Sequence, residues 1–253
     1  MSPSPGKFVW YELNTTDMDA AIRFYGQVVG WTFDGATTGP HAYPHIRDGQ
    51  GHLGGLMQLP EPVKAMGVPP YWVGYVEVAN VDETLVKLQA LGGAVHFGPM
   101  DLPGTGRFAA VADPQGAAFA IHQPEKPSAP RDARQPGAFN WHELATSDPS
   151  AAFAFYTALF GWQKLGEMDM GPMGTYILFG VGDVQMGGMF RRPPEMPVSA
   201  WLYYIMVADL DAALQRAKDA GGKLLNGPMP VPGGARIVQM QDPQGAMFAL
   251  VGL

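Results

Sequence analysis

The chain of 253 residues contains no cysteine. Disulfides, thiolate metal ligands and a cysteine nucleophile are thereby excluded. Charge is sparse: 15% of residues are Asp, Glu, Lys or Arg, and the formal net charge is −7. The 16 basic residues form no run. A nucleic-acid partner, which needs a basic stripe to meet phosphates, is disfavoured. No uncharged apolar stretch approaches the ~20 residues of a membrane span. The N-terminus, MSPSPGKF, lacks the basic start and apolar run of a secretory signal. There is no phosphate-binding loop, because GTGR at 104–107 and GGAR at 233–236 lack its spacing and its following helix. A G-x-S-x-G turn and a Ser-His-Asp order are missing too. These absences lead to the expectation of a cytoplasmic protein, monomer or homodimer, whose partner is a small molecule and neither nucleic acid nor membrane.

What is present is a duplication. Residues 8–31 read FVWYELNTTDMDAAIRFYGQVVGW and residues 139–162 read FNWHELATSDPSAAFAFYTALFGW. Twelve of these 24 positions are identical at an offset of 131 (139 − 8), and DPQGA at 113–117 returns at 242–246. A repeat of this length fixes the domain count and gives each candidate residue a twin for comparison. With 47% hydrophobic residues, the chain can bury two cores. Residues 124–136, rich in Pro and charge, read as a linker between a first domain at 6–123 and a second at 137–253. Met168, Met170, Met173, Met186 and Met189 crowd one region and read as flexible core filling.

Each half opens with an alternating strand, Phe8 to Thr15 in the first copy. Asp17 follows as a helix N-cap, Ala21, Ile22, Tyr25, Val28 and Val29 recur at helical spacing, and Gly30 ends the helix. In the second copy Asp148 caps, Pro149 takes the first helical position and Gly161 terminates. Gly-rich short strands follow, near 42–47 and 51–58, and near 174–179 and 184–190. A second strand–helix–Gly-Gly unit begins at Tyr71 in the first half and at Trp201 in the second. Its last two strands, near 107–112 and 117–122 and near 235–240 and 246–251, are joined by DPQG, whose Asp, Pro and Gly suit a type I turn. The chain therefore reads as four β-α-β-β-β units.

The pattern strand–D-x-x-x-A-x-x-FY-x-x-x-x-GW, a Gly-Gly strand, D-x-D-A-helix-GG and GR…DPQGA-x-F resembles the vicinal oxygen chelate superfamily. That group includes glyoxalase I, extradiol dioxygenases, and fosfomycin and bleomycin resistance proteins. The resemblance covers nearly the whole chain, twice, and is nearest to two-domain glyoxalase-like proteins. It implies an α+β fold of tandem glyoxalase-like domains, each with two βαβββ units in a curled, barrel-like sheet.

The resemblance also implies a divalent metal in each cup, held by His, Glu or Gln on four strands. Seven residues before each helix-capping residue stand Trp10, Val73, Trp141 and Leu202, and the last-strand positions are Ala120 and Ala249. The remaining ligand strand reads HLGGLM or VQMGGM, with glycine where a ligand belongs. A metal site needs at least three protein ligands, so no cofactor is expected. The alternative is an off-pattern divalent site of Glu12, His52 and His122.

Glu12 shares a strand face with Trp10, and Glu143 with Trp141. A carboxylate in an aromatic-walled cup should have a raised pKa unless paired, so Glu12 and Glu143 are candidate general bases or ligand acceptors. Read structurally, they would instead bond loop backbone or the twin arginines Arg107 and Arg236. Tyr75 and Tyr204 are expected to join Trp10 and Trp141 as amphipathic walls, with His122 at the mouth of the first cup. His142, on the opposite face, reads as packing, and His41, His45 and His96 as exposed. The leading expectation is a glyoxalase/bleomycin-resistance-like protein binding a small organic molecule in its cups. The alternatives are a lyase or dioxygenase with an off-pattern metal, a sequestering or resistance protein, and metal-free acid–base catalysis.

Overall fold

The computed structural model describes residues 5–39 and 42–252, with Met173 as backbone only; His41 lies outside the described residues. The first half runs β1 (Phe8–Thr15), α1 (Met18–Val29), β2 (Thr32–Asp34), β3 (His45–Asp48), β4 (Gly51–Gln58), α2 (Glu61–Ala65), β5 (Tyr71–Glu77), α3 (Val81–Ala90), β6 (Ala94–Leu102), β7 (Gly106–Ala112) and β8 (Ala118–Pro124). The second runs β9 (Phe139–Thr146), α4 (Pro149–Phe160), β10 (Gln163–Asp169), β11 (Thr175–Val181), β12 (Val184–Arg191), β13 (Ala200–Met206), α5 (Leu210–Asp219), β14 (Lys223–Pro230), β15 (Arg236–Gln241) and β16 (Met247–Gly252). These are four βαβββ units in an α+β fold. Their strands form two curled, eight-stranded mixed sheets, ordered β2-β3-β4-β1-β5-β8-β7-β6 and β10-β11-β12-β9-β13-β16-β15-β14.

The local chemistry follows the sequence signals. The Asp17 side chain accepts from the Ala20 N–H, and Gly30 closes α1 at φ +86°. Asp148 accepts from the Ser150 and Ala151 N–H groups, and Gly161 closes α4 at φ +75°. A left-handed residue is needed at both stops, so glycine is the unstrained choice. In both DPQG turns the glycine N–H closes on the aspartate carbonyl at 3.0 Å. Beyond the expected strands the structure adds β2 and shortens the strand expected near 42–47 to β3, which begins at His45. It also corrects the reading of β1 as half-buried: Tyr11 to Thr15 are all buried, because β1 is central in its sheet and covered on both faces.

Packing divides the chain differently from its sequence halves. One compact unit comprises the segment up to Val9, Gly74–Pro130 and Trp141–Leu202, and the other Trp10–Val73, Arg131–Asn140 and Tyr203–Leu253. Each unit thus joins a βαβββ motif of one half to a motif of the other. In the first unit Tyr156 donates to Asp113 at 3.1 Å and accepts from Trp201 at 3.2 Å. There Trp162 donates to the Gly6 carbonyl at 2.7 Å, and Phe8 stacks on His142 with centroids 4.1 Å apart. In the second unit Tyr25 donates to Asp242 at 3.1 Å and accepts from Trp72 at 3.0 Å. Trp31 donates to the Gly137 carbonyl at 2.8 Å, and Tyr11 stacks on Phe139 at 3.7 Å. Every one of these contacts in one unit has its twin in the other.

The linker is irregular but docked. Arg131 pairs with Asp48 and donates to the His52 carbonyl at 3.0 Å. Gln50 and the backbone of Asp132 exchange two hydrogen bonds, of 3.0 and 2.8 Å. Of the crowded methionines, Met186 and Met189 are buried, Met168 is half-buried and Met170 exposed. Among the described residues no helix is long and apolar enough to cross a membrane.

Candidate functional site

The repeated Trp-x-Glu of β1 and β9 becomes the same hydrogen-bonded chain in both halves. Trp10 Nε1–H donates to Tyr43 Oη at 3.0 Å, and Tyr43 Oη–H donates to Glu12 Oε2 at 2.9 Å. In the second half Trp141 Nε1–H donates to Tyr176 Oη at 2.9 Å, and Tyr176 donates to Glu143 Oε2 at 2.9 Å. Asn14 Nδ2 adds a bond to Glu12 Oε1 at 3.2 Å; its twin, Ala145, has no side-chain donor to offer.

Tyr43 and Tyr176 went unnoticed in the sequence because they lie on short segments outside the strong repeat, at an offset of 133. The signal that marks them is Gly-Gly in β4 and β12. A Cβ on Gly55 would lie 2.4 Å from the Tyr43 ring, and one on Gly188 1.8 Å from the Tyr176 ring. The glycines clear the floor on which each tyrosine lies. Burial, then the adjacent Glu12 carboxylate, pushes the Tyr43 phenol well above its ordinary pKa. Burial and Glu143 do the same to Tyr176. Both phenols therefore stay protonated as donors. Tyr71 is raised as well, by burial and by Glu12.

The first-half chain continues into a cluster. His45 stands edge-on to Tyr43 and Trp10, with centroids 5.4 and 5.9 Å away. It is half-buried, which corrects the expectation of full exposure: β3 lays it against these rings. Burial, then His52, lowers its pKa. His52 Nε2 meets both oxygens of Asp34, at 3.2 and 3.0 Å. His96 is exposed as read, though on β6 rather than a turn.

The other candidates separate by strand face. In the β7–β8 ladder Phe108 stands opposite His122 and Arg107 opposite Gln123. Arg107 therefore turns towards α3, where it bonds Asp82 at 2.9 Å, and it also bonds Asp101 at 2.9 Å. Arg236 likewise turns to α5 and bonds Asp211 at 2.7 Å. This is a correction: strand parity puts both arginines on the helix side, away from the face proposed for a ligand and from any pairing with Glu12 or Glu143. His122 is half-buried, its ring nitrogen Nε2 has no hydrogen-bond partner among the described residues, and burial lowers its pKa. Tyr204 is buried and accepts from Gln239 Nε2 at 2.8 Å. Tyr75 pairs in register with Ala120, with its ring 6.1 Å from that of Phe108. His142 is buried and its Nδ1–H donates to the Met186 carbonyl at 2.7 Å, a packing role.

For a metal, the donor set is poor. The side chains of Trp10, Val73, Ala120, Trp141, Leu202 and Ala249 offer no cation-binding atom, and the Trp10 and Trp141 indoles are donors already bound to tyrosines. Among the described residues no group of three or more His, Asp or Glu is arranged to hold a metal ion. The off-pattern set is not assembled, since His52 is held by Asp34 and Glu12 by Tyr43.

Comparison with known proteins agrees with this architecture. Relatives that match over nearly their full length include a protein named as a glyoxylase and two named for anthracycline biosynthesis. "Putative glyoxylase CFP32" of Mycobacterium tuberculosis is 31% identical over 244 residues, 96% of this chain and 93% of that one. Anthracycline biosynthesis protein DnrV of Streptomyces peucetius is 31% identical over 264 residues, 99% of this chain and 94% of that one. Among solved structures, the 2,3-dioxygenase LapB of Pseudomonas sp. KL28 superposes with a TM-score of 0.68 at 13% identity, covering 100% of this chain and 94% of LapB. The Mn(II)-bound glyoxalase of Novosphingobium aromaticivorans gives 0.66 at 16%, covering 98% and 82%. The sequence model of one family matches residues 7–121 and again 138–250, and the chain belongs to that family, the Glyoxalase/Bleomycin resistance protein/Dioxygenase superfamily.

Proposed function

We propose that each half binds a small, flat organic molecule against its Trp–Tyr–Glu chain, and that this chain has taken the place of the metal of the wider superfamily. The observation that carries the reading is the recurrence of one part-buried hydrogen-bonded chain, Trp10–Tyr43–Glu12 and Trp141–Tyr176–Glu143, with apolar residues at the metal positions. Two aromatic rings offer a wall, and a carboxylate beside it can accept from a hydroxyl or amine of the ligand. Two 31% identical relatives are named for anthracycline biosynthesis, and a polycyclic aromatic ligand suits such a wall. A sequence-domain division at the linker, 6–123 and 137–253, gives one such site per domain.

The test uses chelator-treated protein and anthraquinone-2-sulfonate as probe, followed by quenching of tryptophan fluorescence. Saturable quenching with two components, one weakened about tenfold or more in Glu12→Gln and the other in Glu143→Gln with the thermal melt intact, is the expected result. Absence of saturable quenching, or binding that requires one tightly held metal ion per chain, would overturn the reading.

A further inference from the structure

The two halves share the Trp–Tyr–Glu chain but not what lies next to it. In the ladder β2–β3, Asp34 stands opposite His45, and His45 in turn opposite Gly55 of β4. In the second half the residue opposite Gly188, the twin of Gly55, is Leu178, and Leu178 pairs with Gly166. His52 corresponds to Gln185 at the same offset of 133 (188 − 55). Asp34, His45 and His52 are thus replaced by glycine, leucine and glutamine in an otherwise matching frame.

The three side chains form a working arrangement. Asp34 accepts the Nε2–H of His52, which fixes the tautomer and leaves Nδ1 as a proton acceptor. The hydrogen bond from His52, and then Arg47 at 3.3 Å, hold the Asp34 carboxyl below its ordinary pKa, so it stays an anion. The His45 ring lies 5.2 Å from that of His52 and edge-on to Trp10 and Tyr43. Its Nδ1 is 3.8 Å from Asp34, too long for a hydrogen bond. Burial lowers its pKa, so it is a neutral imidazole able to donate a hydrogen bond. A base held by a carboxylate, beside a neutral donor and an aromatic wall, is the geometry of proton abstraction from carbon.

We propose that the first half is a proton-transfer site for arylmethyl ketones, whose α-hydrogen is acidic, with His52 as base and His45 as donor to the enolate oxygen, whereas the second half binds without this chemistry. The proposal rests on the reading that a flat molecule lies on the Trp10–Tyr43–Glu12 chain. The α C–H bond breaks, its proton goes to His52 Nδ1, and the electron pair forms the C=C bond as the carbonyl π pair moves to oxygen. The enolate oxygen accepts from His45 N–H. Return of a proton from His52 to carbon restores the ketone, so no oxidant or reductant is consumed.

The experiment incubates metal-free protein with phenylacetone in D2O and follows loss of the benzylic CH2 signal by proton NMR, with tryptophan quenching by the same compound as the binding readout. Exchange should rise in proportion to protein concentration. It should fall by about a hundredfold in His52→Gln and in His45→Leu, changes to residues that the second half already carries at these positions. Asp34→Asn, which keeps the shape of the holder, should slow exchange without loss of quenching. Exchange in wild-type protein no faster than in imidazole buffer of equal histidine content, or unchanged in the double variant His45→Leu/His52→Gln, would overturn the proposal. Quenching that persists while exchange fails would leave the binding reading standing alone; loss of quenching would remove both.

Discussion

Tyr25 donates a 3.1 Å hydrogen bond to Asp242, 217 residues further along the chain, and Tyr156 gives Asp113 the same bond. Each tyrosine comes from the FY of one half and each aspartate from the DPQG turn of the other. The carboxylates are buried in the turns, where desolvation raises their pKa and turn N–H groups and the phenol counteract it. Tyr25→Phe and Tyr156→Phe should each cost on the order of 1–3 kcal/mol, because a buried acceptor loses a donor. The two bonds lie in different compact units, so the double variant should cost the sum within about 0.5 kcal/mol. Urea denaturation of the three variants measures this; a cost near zero for either would show that the bond contributes nothing.

His142 should make the fold acid-sensitive. Burial lowers its pKa to about 4, with the Met186 carbonyl partly opposing, against an unfolded value of about 6.5. The unfolded chain therefore binds a proton that the folded one refuses. Stability should fall as pH drops from about 6.5 towards 4, by about 3 kcal/mol at full extent. Asp113 and Asp242, whose raised pKa values favour the folded state in acid, carry the opposite sign. The comparison is therefore with His142→Phe, which should show a shallower loss over this window. Parallel pH profiles of the two proteins would refute the assignment.

Gly55→Ala and Gly188→Ala should displace the tyrosine above each, since the new methyl would lie 2.4 and 1.8 Å from ring atoms. Overpacking of this kind costs about 1–3 kcal/mol. Loss of anthraquinone-2-sulfonate binding should accompany it in whichever half is altered. Retained affinity with a lowered melting temperature would separate the tyrosine from the ligand.

Arg107→Ala and Arg236→Ala should leave ligand binding unchanged and alter stability by no more than about 1 kcal/mol, because their partners Asp82, Asp101 and Asp211 are exposed. A fluorescence titration that weakens with either substitution would place that arginine on the wrong face here.

Elements were legible in the sequence where local chemistry decides them. Asp17, Gly30, Asp148, Gly161 and both DPQG turns act through bonds within a few residues, so their spelling suffices. The faces of β1 and β9 followed from alternation, which is why Trp10 and Glu12 appear together. Arg107 and Arg236 were misplaced because they were paired by charge without a count along β7 and β15; parity and the helices behind those strands decide their direction. Tyr43, Tyr176 and Asp34 were missed because each matters through a partner far away in sequence. Only Gly55 and Gly188 recorded locally that something large lies above them.

The crossed assembly of the two compact units has a consequence for synthesis of the chain. A nascent polypeptide ending at Pro130 holds neither unit complete, since one still lacks Trp141–Leu202 and the other Arg131–Asn140 and Tyr203–Leu253. Asp113 then has no Tyr156, and Phe119, whose ring lies 5.5 Å from Tyr156, has no cover. The first half must wait on the ribosome with its helix-side surface open, and the second unit closes only when the last strand has emerged. Contacts this distant in sequence favour slow folding, and a prematurely terminated chain presents an apolar face ready to meet another copy of itself.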